Sequence, residues 1–563
     1  MTAFSISIRW YLAMMALGLL RAPALAVPQA ANAPPTAISN GYRIAGTVVS
    51  KTDGHPLGRA RITIRDAKDQ QKFQFIITSE NGKFEFGGFP AGKFSLEGAK
   101  RGFLSASYDQ HDQFSTAIVT DAGLDTEHLV LRLAPNALIA GHVLDEVGEP
   151  VRHATVRLYY NDHSGGVDRV RQSRGAQTDD QGTYEMTPLP PGTYFVSASA
   201  QPWYTLHPNL HPAESESHGQ AAAVDRSLDV AYPVTFYGDV TDAESATPIP
   251  VRGGDHLQVD IHLNPVPALR VVFHVQDNGK NGFTTPQLQQ QTFDGFTFVE
   301  PSVVQQISPG LMEVTGIPAG RYNVRVASGG NWQQLNGVDL SKDGAQIDTT
   351  NAEALSQVKV SVQVPGEATI PPRLAVGLRS GNRLLTALQV VDPKGGKGEK
   401  GETEFSQLVP GSYEVVVRSS AMRYSIAHMA AEGAQVSGHT LTVAAGSSVS
   451  LSLTLVGGNV EVEGVVKKAD KGFAGAMVVL VPRNPEMNRD LFRRDQSDLD
   501  GTFTLHGVVP GAYTLLAIEN GWDLDWSQPG VIAAYLKHGR TIQIGNQAAR
   551  PMSVADPIEV QSK

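Results

Sequence analysis

The sequence has no cysteine among its 563 residues. That excludes disulfides, thiolate metal sites, cysteine nucleophiles and a lipid-modified cysteine. Exported domains without disulfides must hold themselves together with buried cores. Basic charge is also in short supply. Lys and Arg number 46 against 56 Asp and Glu, a formal net charge of −10. That balance argues against nucleic acid as a partner, because phosphate-backbone binding needs clustered Lys and Arg. No long run of like charge occurs, so the acidity reads as a solvated surface. Long apolar runs are missing too. No segment beyond the N-terminus approaches the ~20 apolar residues of a membrane-spanning helix. Helical periodicity is scarce, with one short helix expected near Pro529 to Lys537.

The N-terminus reads as a secretory signal over residues 1–26. Arg9 ends a weakly basic start, Trp10 to Leu20 form a short apolar core, and Ala24-Leu-Ala26 has the small-x-small cleavage pattern. The chain is therefore expected in the periplasm, on the outer cell surface or outside the cell, with no transmembrane segment after cleavage. Residues 27–41 are Ala/Pro-rich and read as an extended leader.

Gly and Pro are plentiful, at 56 and 34 residues, which favours turns and short strands. One motif recurs five times: Pro90-Ala-Gly92-Lys-Phe94, Pro191-Gly192-Thr-Tyr194, Pro318-Ala-Gly320-Arg-Tyr322, Pro410-Gly411-Ser-Tyr413 and Pro510-Gly511-Ala-Tyr513. Repetition at this scale sets architecture before any single residue does. Proline presets a turn, glycine sits where a side chain would clash, and the aromatic opens the next strand as a core residue. Around each copy, apolar residues alternate with polar ones and turn signals recur, the pattern of a β-sandwich. The expected units are 42–134, 135–264 with a long insertion at 200–255, 265–355, 356–456 and 457–563, arranged as an elongated array.

In units one, two and five the order of signals is the same. Ile44-Ala-Gly46, Gly54-His-Pro56, Ala60-Arg-Ile62 and Asn81-Gly82-Lys-Phe84 match Ile139-Ala-Gly141, Gly148-Glu-Pro150, Ala154-Thr-Val156 and Gln181-Gly182-Thr-Tyr184. Val462-Glu-Gly464 and Asp500-Gly501-Thr-Phe503 repeat the pattern in unit five. Units three and four lack the opening glycine. These residues resemble the carboxypeptidase regulatory-like domain. The resemblance implies tandem seven-stranded, transthyretin-like (Ig-like) β-sandwiches, an all-β fold. The whole chain is similar to multi-domain exported proteins of this kind in acidobacteria. The family domain is non-catalytic and classed with carbohydrate-binding-like folds, which is a fold-level analogy.

Candidate chemistry is sparse. His211-Pro-Ala-Glu214 has the His-x-x-Glu spacing of a zinc carboxypeptidase, yet it lies in a His/Pro/Ser-rich loop, a poor cage for three rigid ligands. Asp498-Leu-Asp500-Gly501 lacks the further oxygens of a calcium loop and reads as a hairpin turn. No nucleophile elbow, Walker loop or dinucleotide fingerprint occurs in its required context. No cofactor is expected. Trp203, Tyr204, Trp522 and Trp526 fall outside regular alternation and are the candidate ligand-binding residues. They would stack on sugar rings, or else cap sandwich ends and pack between domains. The expected function is a non-enzymatic scaffold or interaction protein of the bacterial cell envelope. The alternative is a carbohydrate-binding protein, with polysaccharide or another envelope protein as partner. An accessory part of a peptidase system is a third reading.

Overall fold

A computed structural model describes residues 41–121, 123–207, 225–275, 285–328, 331–366, 369–380, 385–393, 400–420, 423–545 and 551–563. The signal, nearly all of the leader and the His211/Glu214 pair lie outside them.

The fold is all-β, with sheets in five successive pairs and a separate buried core inside each pair. Unit one shows the plan. Tyr42–Ser50 is the centre of one sheet, antiparallel to Lys83–Phe89 and parallel to Leu129–Leu133. Arg61–Asp66 lies between Phe73–Ile77 and Gly92–Ala99 in the facing sheet. Every later unit repeats the first sheet. The opening strands Ala137–Leu144, Leu269–His274, Ser356–Gln363 and Val460–Lys468 each pair antiparallel with the strand that leads into the unit's Pro-Gly-x-aromatic motif. Each also pairs parallel with a closing strand. In every unit the antiparallel partner carries one extra residue at the same point, opposite Tyr42/Ile44 in unit one and Val460/Val462 in unit five. Units three and four therefore share the fold despite their divergent sequences.

Register explains the missing glycines. Gly46, Gly141 and Gly464 lie opposite Phe84, Tyr184 and Phe503. A side chain at Gly46 would also meet the Leu129 carbonyl at 2.1 Å. In unit three the equivalent pair is Phe273 opposite Met312, and in unit four Val360 opposite Thr403. A larger side chain stands in place of the glycine, and Met or Thr stands across from it in place of the aromatic.

The repeated Pro-Gly-x-aromatic motif makes a corner. The hydroxyls of Tyr194, Tyr322 and Tyr513 donate to the carbonyls of Pro190 (2.7 Å), Pro318 (2.7 Å) and Val509 (2.8 Å), and Tyr413 donates to Val409. The rings of Phe94, Tyr194, Tyr322 and Tyr513 fold back over their motif glycines. A Cβ on Gly320 or Gly511 would meet the ring at 3.2 or 3.3 Å. Burial pushes the Tyr194, Tyr413 and Tyr513 hydroxyls up to about 12. Unit one has Phe94 and no hydroxyl. There Thr120 Oγ1 donates to the Pro90 carbonyl at 2.7 Å in its stead.

The array is not elongated end to end. Unit five returns to pack on unit one across nearly four hundred residues of sequence. Phe293, at the tip of a unit-three hairpin, packs against Tyr159, Phe195 and Phe236 of unit two. Alternation records burial within a sandwich and carries no information on which sandwich ends meet. The expected short helix is present as Pro529–Leu536, with Ile532 buried beneath it.

Candidate interaction site at the closure of the chain

The closure is built on one hairpin. Gly501 has φ +84°, and a side chain there would strike the Val466 carbonyl at 2.4 Å, so the turn requires glycine. The turn brings Asp498 to unit one. Asp498 Oδ1 accepts from the Ala117 N–H at 3.0 Å, and Lys93 Nζ donates to Oδ2 at 2.5 Å and to Thr502 Oγ1 at 2.7 Å. Burial raises the Asp498 carboxyl above its ordinary range, with Lys93 pulling the other way. The Leu499 N–H donates to the Ala117 carbonyl at 3.1 Å, and the Leu499 side chain packs on the unit-one core. Beside it, Gln496 Nε2 donates to the Asp109 carbonyl at 2.6 Å and to Thr116 Oγ1 at 2.8 Å.

Two of the sequence candidates lie in this closure. The Trp522 ring stacks on His111 of unit one, with centroids 4.9 Å apart and planes 6° from parallel, and its Nε1 donates to the Gly475 carbonyl. Trp526 is only 9% exposed. It packs on Phe492, and the Arg494 guanidinium covers its ring at 4.2 Å. From unit two, Gly166 approaches so closely that a Cβ would meet the Trp526 ring at 2.5 Å. The His163 ring of unit two lies 2.8 Å from the Leu524 carbonyl. These indoles pack at the junctions between domains, Trp526 buried and Trp522 half-buried with one face covered by His111.

Trp203 and Tyr204 are elsewhere, at the end of unit two. Trp203 is 85% exposed. Its ring stands at 90° to Tyr204, so the two do not form a flat platform. The Tyr204 hydroxyl is engaged with Glu146, which Tyr232 also reaches at 2.8 Å.

Next to the closure lies a cleft that the sequence did not announce. Two adjoining cavities of about 920 and 230 Å³ share Arg418, Arg489, Asp490 and Trp526. Eight arginines line them against four carboxylates, in a protein of net negative charge. Arg169 and Arg171 come from the unit-two strand Arg169–Gln177. Arg379, Arg418 and Arg423 come from three strands of unit four, and Arg489, Arg493 and Arg494 from unit five. Burial lowers the pKa of Arg418, and Arg379, Arg171 and Arg423 lower it further. Burial, with Arg423 nearby, takes Arg493 down to about 10. Only the adjacent Arg493-Arg494 pair is visible as a cluster in the sequence.

His211 and Glu214 lie outside the described residues. Among the described residues no three His, Asp or Glu side chains converge as a metal set would. No described helix is long and apolar enough to cross a membrane.

Comparison with known proteins follows this geometry. The carboxypeptidase regulatory-like domain matches residues 43–128 and 138–221, so the first two units are copies of that domain. Unit five has the same strand pairing. No curated protein matches the chain. Among solved structures, a streptococcal ancillary pilin is similar over 55% of this chain and 98% of its own, at 12% identity and a TM-score of 0.20. The minor pilin GBS52 of Streptococcus agalactiae is similar over 40% of this chain and 97% of its own, at 12% identity and a TM-score of 0.21. The Bacillus anthracis TIE protein covers 75% of each chain at 11% identity and a TM-score of 0.17.

Proposed function

We propose that this protein is a non-enzymatic, exported scaffold of the bacterial cell envelope. In this reading the sandwiches supply rigidity, and contacts with partners are made at the loops and clefts between them. The observation that carries the reading is the docking of the unit-five hairpin on unit one through Lys93, Ala117 and Asp498. Such a contact fixes the geometry of a five-domain chain and leaves its junctions as permanent features. Fractionation of cells expressing a C-terminally tagged full-length chain tests it. Recovery with the envelope or the medium, after loss of the first 26 residues, is expected. Retention in the cytoplasm, or turnover of peptide, ester or glycoside substrates by the purified protein, would refute it.

The exposure of Trp203 favours a second reading, in which one indole caps a sugar ring at the end of unit two. A glycan array read with wild type and Trp203→Ala separates the two. Binding that disappears in the variant supports the second reading, and identical blank arrays remove it.

A further inference from the structure

We infer that the cleft between units two, four and five is a binding site for a small polyanion, a short chain carrying several carboxylate or phosphate groups. The inference does not depend on the protein being exported or non-enzymatic. Its basis is unbalanced charge. Three of the arginines are locally paired: Arg171 with Asp162 at 2.6 Å, Arg379 with Glu414 at 3.3 Å and Arg494 with Asp112 at 3.3 Å. Arg493 is held by three carbonyls, those of Gly507, Asp490 and Phe492, each at 2.8 Å. Carbonyls fix its position and leave its charge in place. Arg418, Arg423 and Arg489 form no salt bridge among the described residues, and all three reach solvent. Asp490 lines both cavities, and it is engaged from unit four by Ser425 at 3.0 Å, with His439 at 3.8 Å.

Four guanidinium charges therefore face one cavity without an equal number of carboxylates. Burial first, and neighbouring arginines second, lower the pKa of Arg418 and Arg493. A guanidinium presents a planar fork that binds carboxylate or phosphate oxygens in pairs, so the cluster is chemically complementary to oxyanions. A cavity of about 920 Å³ holds more than one such group. The four come from units four and five, and unit two closes the adjoining cavity with Arg169 and Arg171.

The test is calorimetric titration of the full chain at low salt with tripolyphosphate, trigalacturonate and neutral maltotriose. Binding of at least one polyanion, weakening as salt is raised, and no binding of maltotriose are expected. Tripolyphosphate alone would assign phosphate, trigalacturonate alone would assign carboxylate, and both would assign an oxyanion site without discrimination. The variant Arg418→Ala/Arg489→Ala should bind about tenfold or more weakly. Both residues lie on the exposed rim, so its circular dichroism should match wild type. If the variant misfolds, Arg418→Gln and Arg489→Gln are read singly. Failure of both polyanions to bind, equal affinity in the variants, or equal binding of maltotriose would each overturn the inference.

Discussion

The hairpins at 179–182 and 498–501 have nearly the same local chemistry and different fates. Both close with an Asp N–H to Thr carbonyl bond, at 3.1 Å for Asp179–Thr183 and 2.7 Å for Asp498–Thr502. Both put a glycine at positive φ, +71° and +84°. In unit two the Asp179 carboxylate turns inward and accepts the N–H groups of Gln181 and Thr183 at 2.9 and 2.8 Å. In unit five the same carboxylate position is given to another domain, and Asp500 takes over the local bond to the Thr502 N–H at 3.0 Å. A turn motif sets backbone geometry. The residue left free by a substitute acceptor becomes available for docking.

The comparison can be broken most directly by removing the two carboxylates. Asp498→Ala strands the half-buried Lys93 and the Ala117 N–H, and should cost about 2–3 kcal/mol at the closure. Asp179→Ala loses only two solvent-exposed turn bonds and should cost under about 1 kcal/mol. Hydrogen exchange at Ala117 and Leu499 should rise in the first variant and stay unchanged in the second.

A second contrast lies within unit five. Burial raises the Asp495 carboxyl to about 6, against an ordinary value of 3.8. The folded state then binds more protons than the unfolded state between those values. This group's contribution is most favourable below about pH 4 and is lost as pH rises through about 6. Asp495→Asn should remove that dependence, worth about 3 kcal/mol, from exchange at Val478 to Leu480. An unchanged slope would show that Asp495 is more solvated than the structure has it.

The corners give a smaller effect. Tyr513→Phe leaves the Val509 carbonyl without its donor and should cost about 1 kcal/mol. Thr120→Val should cost a similar amount in unit one. Phe94→Tyr should gain nothing, because Thr120 already occupies the Pro90 carbonyl. Smallest of all, Trp203→Ala should change stability by less than about 0.5 kcal/mol, since the ring is in solvent. Thermal unfolding of the three corner variants and of Trp203→Ala beside wild type would rank them.

Much of the fold was legible because its signals are local. Alternation, Asn81-Gly82 and the Pro-Gly-x-aromatic corners each specify structure within about ten residues. The resemblance carried the strand plan into units one, two and five. In units three and four the plan survives with other pairs at that position, Phe273 with Met312 and Val360 with Thr403 for Gly46 with Phe84, which a search for glycine misses. The site was legible only in part. Trp522 and Trp526 were singled out correctly as departures from alternation, yet nothing local tells a docked indole from an exposed one. The arginine cleft was hidden altogether. A net charge of −10 averages over the chain, whereas Arg171, Arg379, Arg418 and Arg489 meet only when three sandwiches close around them.

That closure is the claim on which the rest stands, and Lys93–Asp498 tests it. A zero-length carbodiimide cross-linker joins an amine and a carboxylate already in contact. Treating dilute full-length protein and digesting the monomer band should yield a peptide pair joined through Lys93 and Asp498, absent from Lys93→Arg. Abundant cross-links within each sandwich, with none between units one and five, would mean that the chain is open and that the arginine cleft is not assembled.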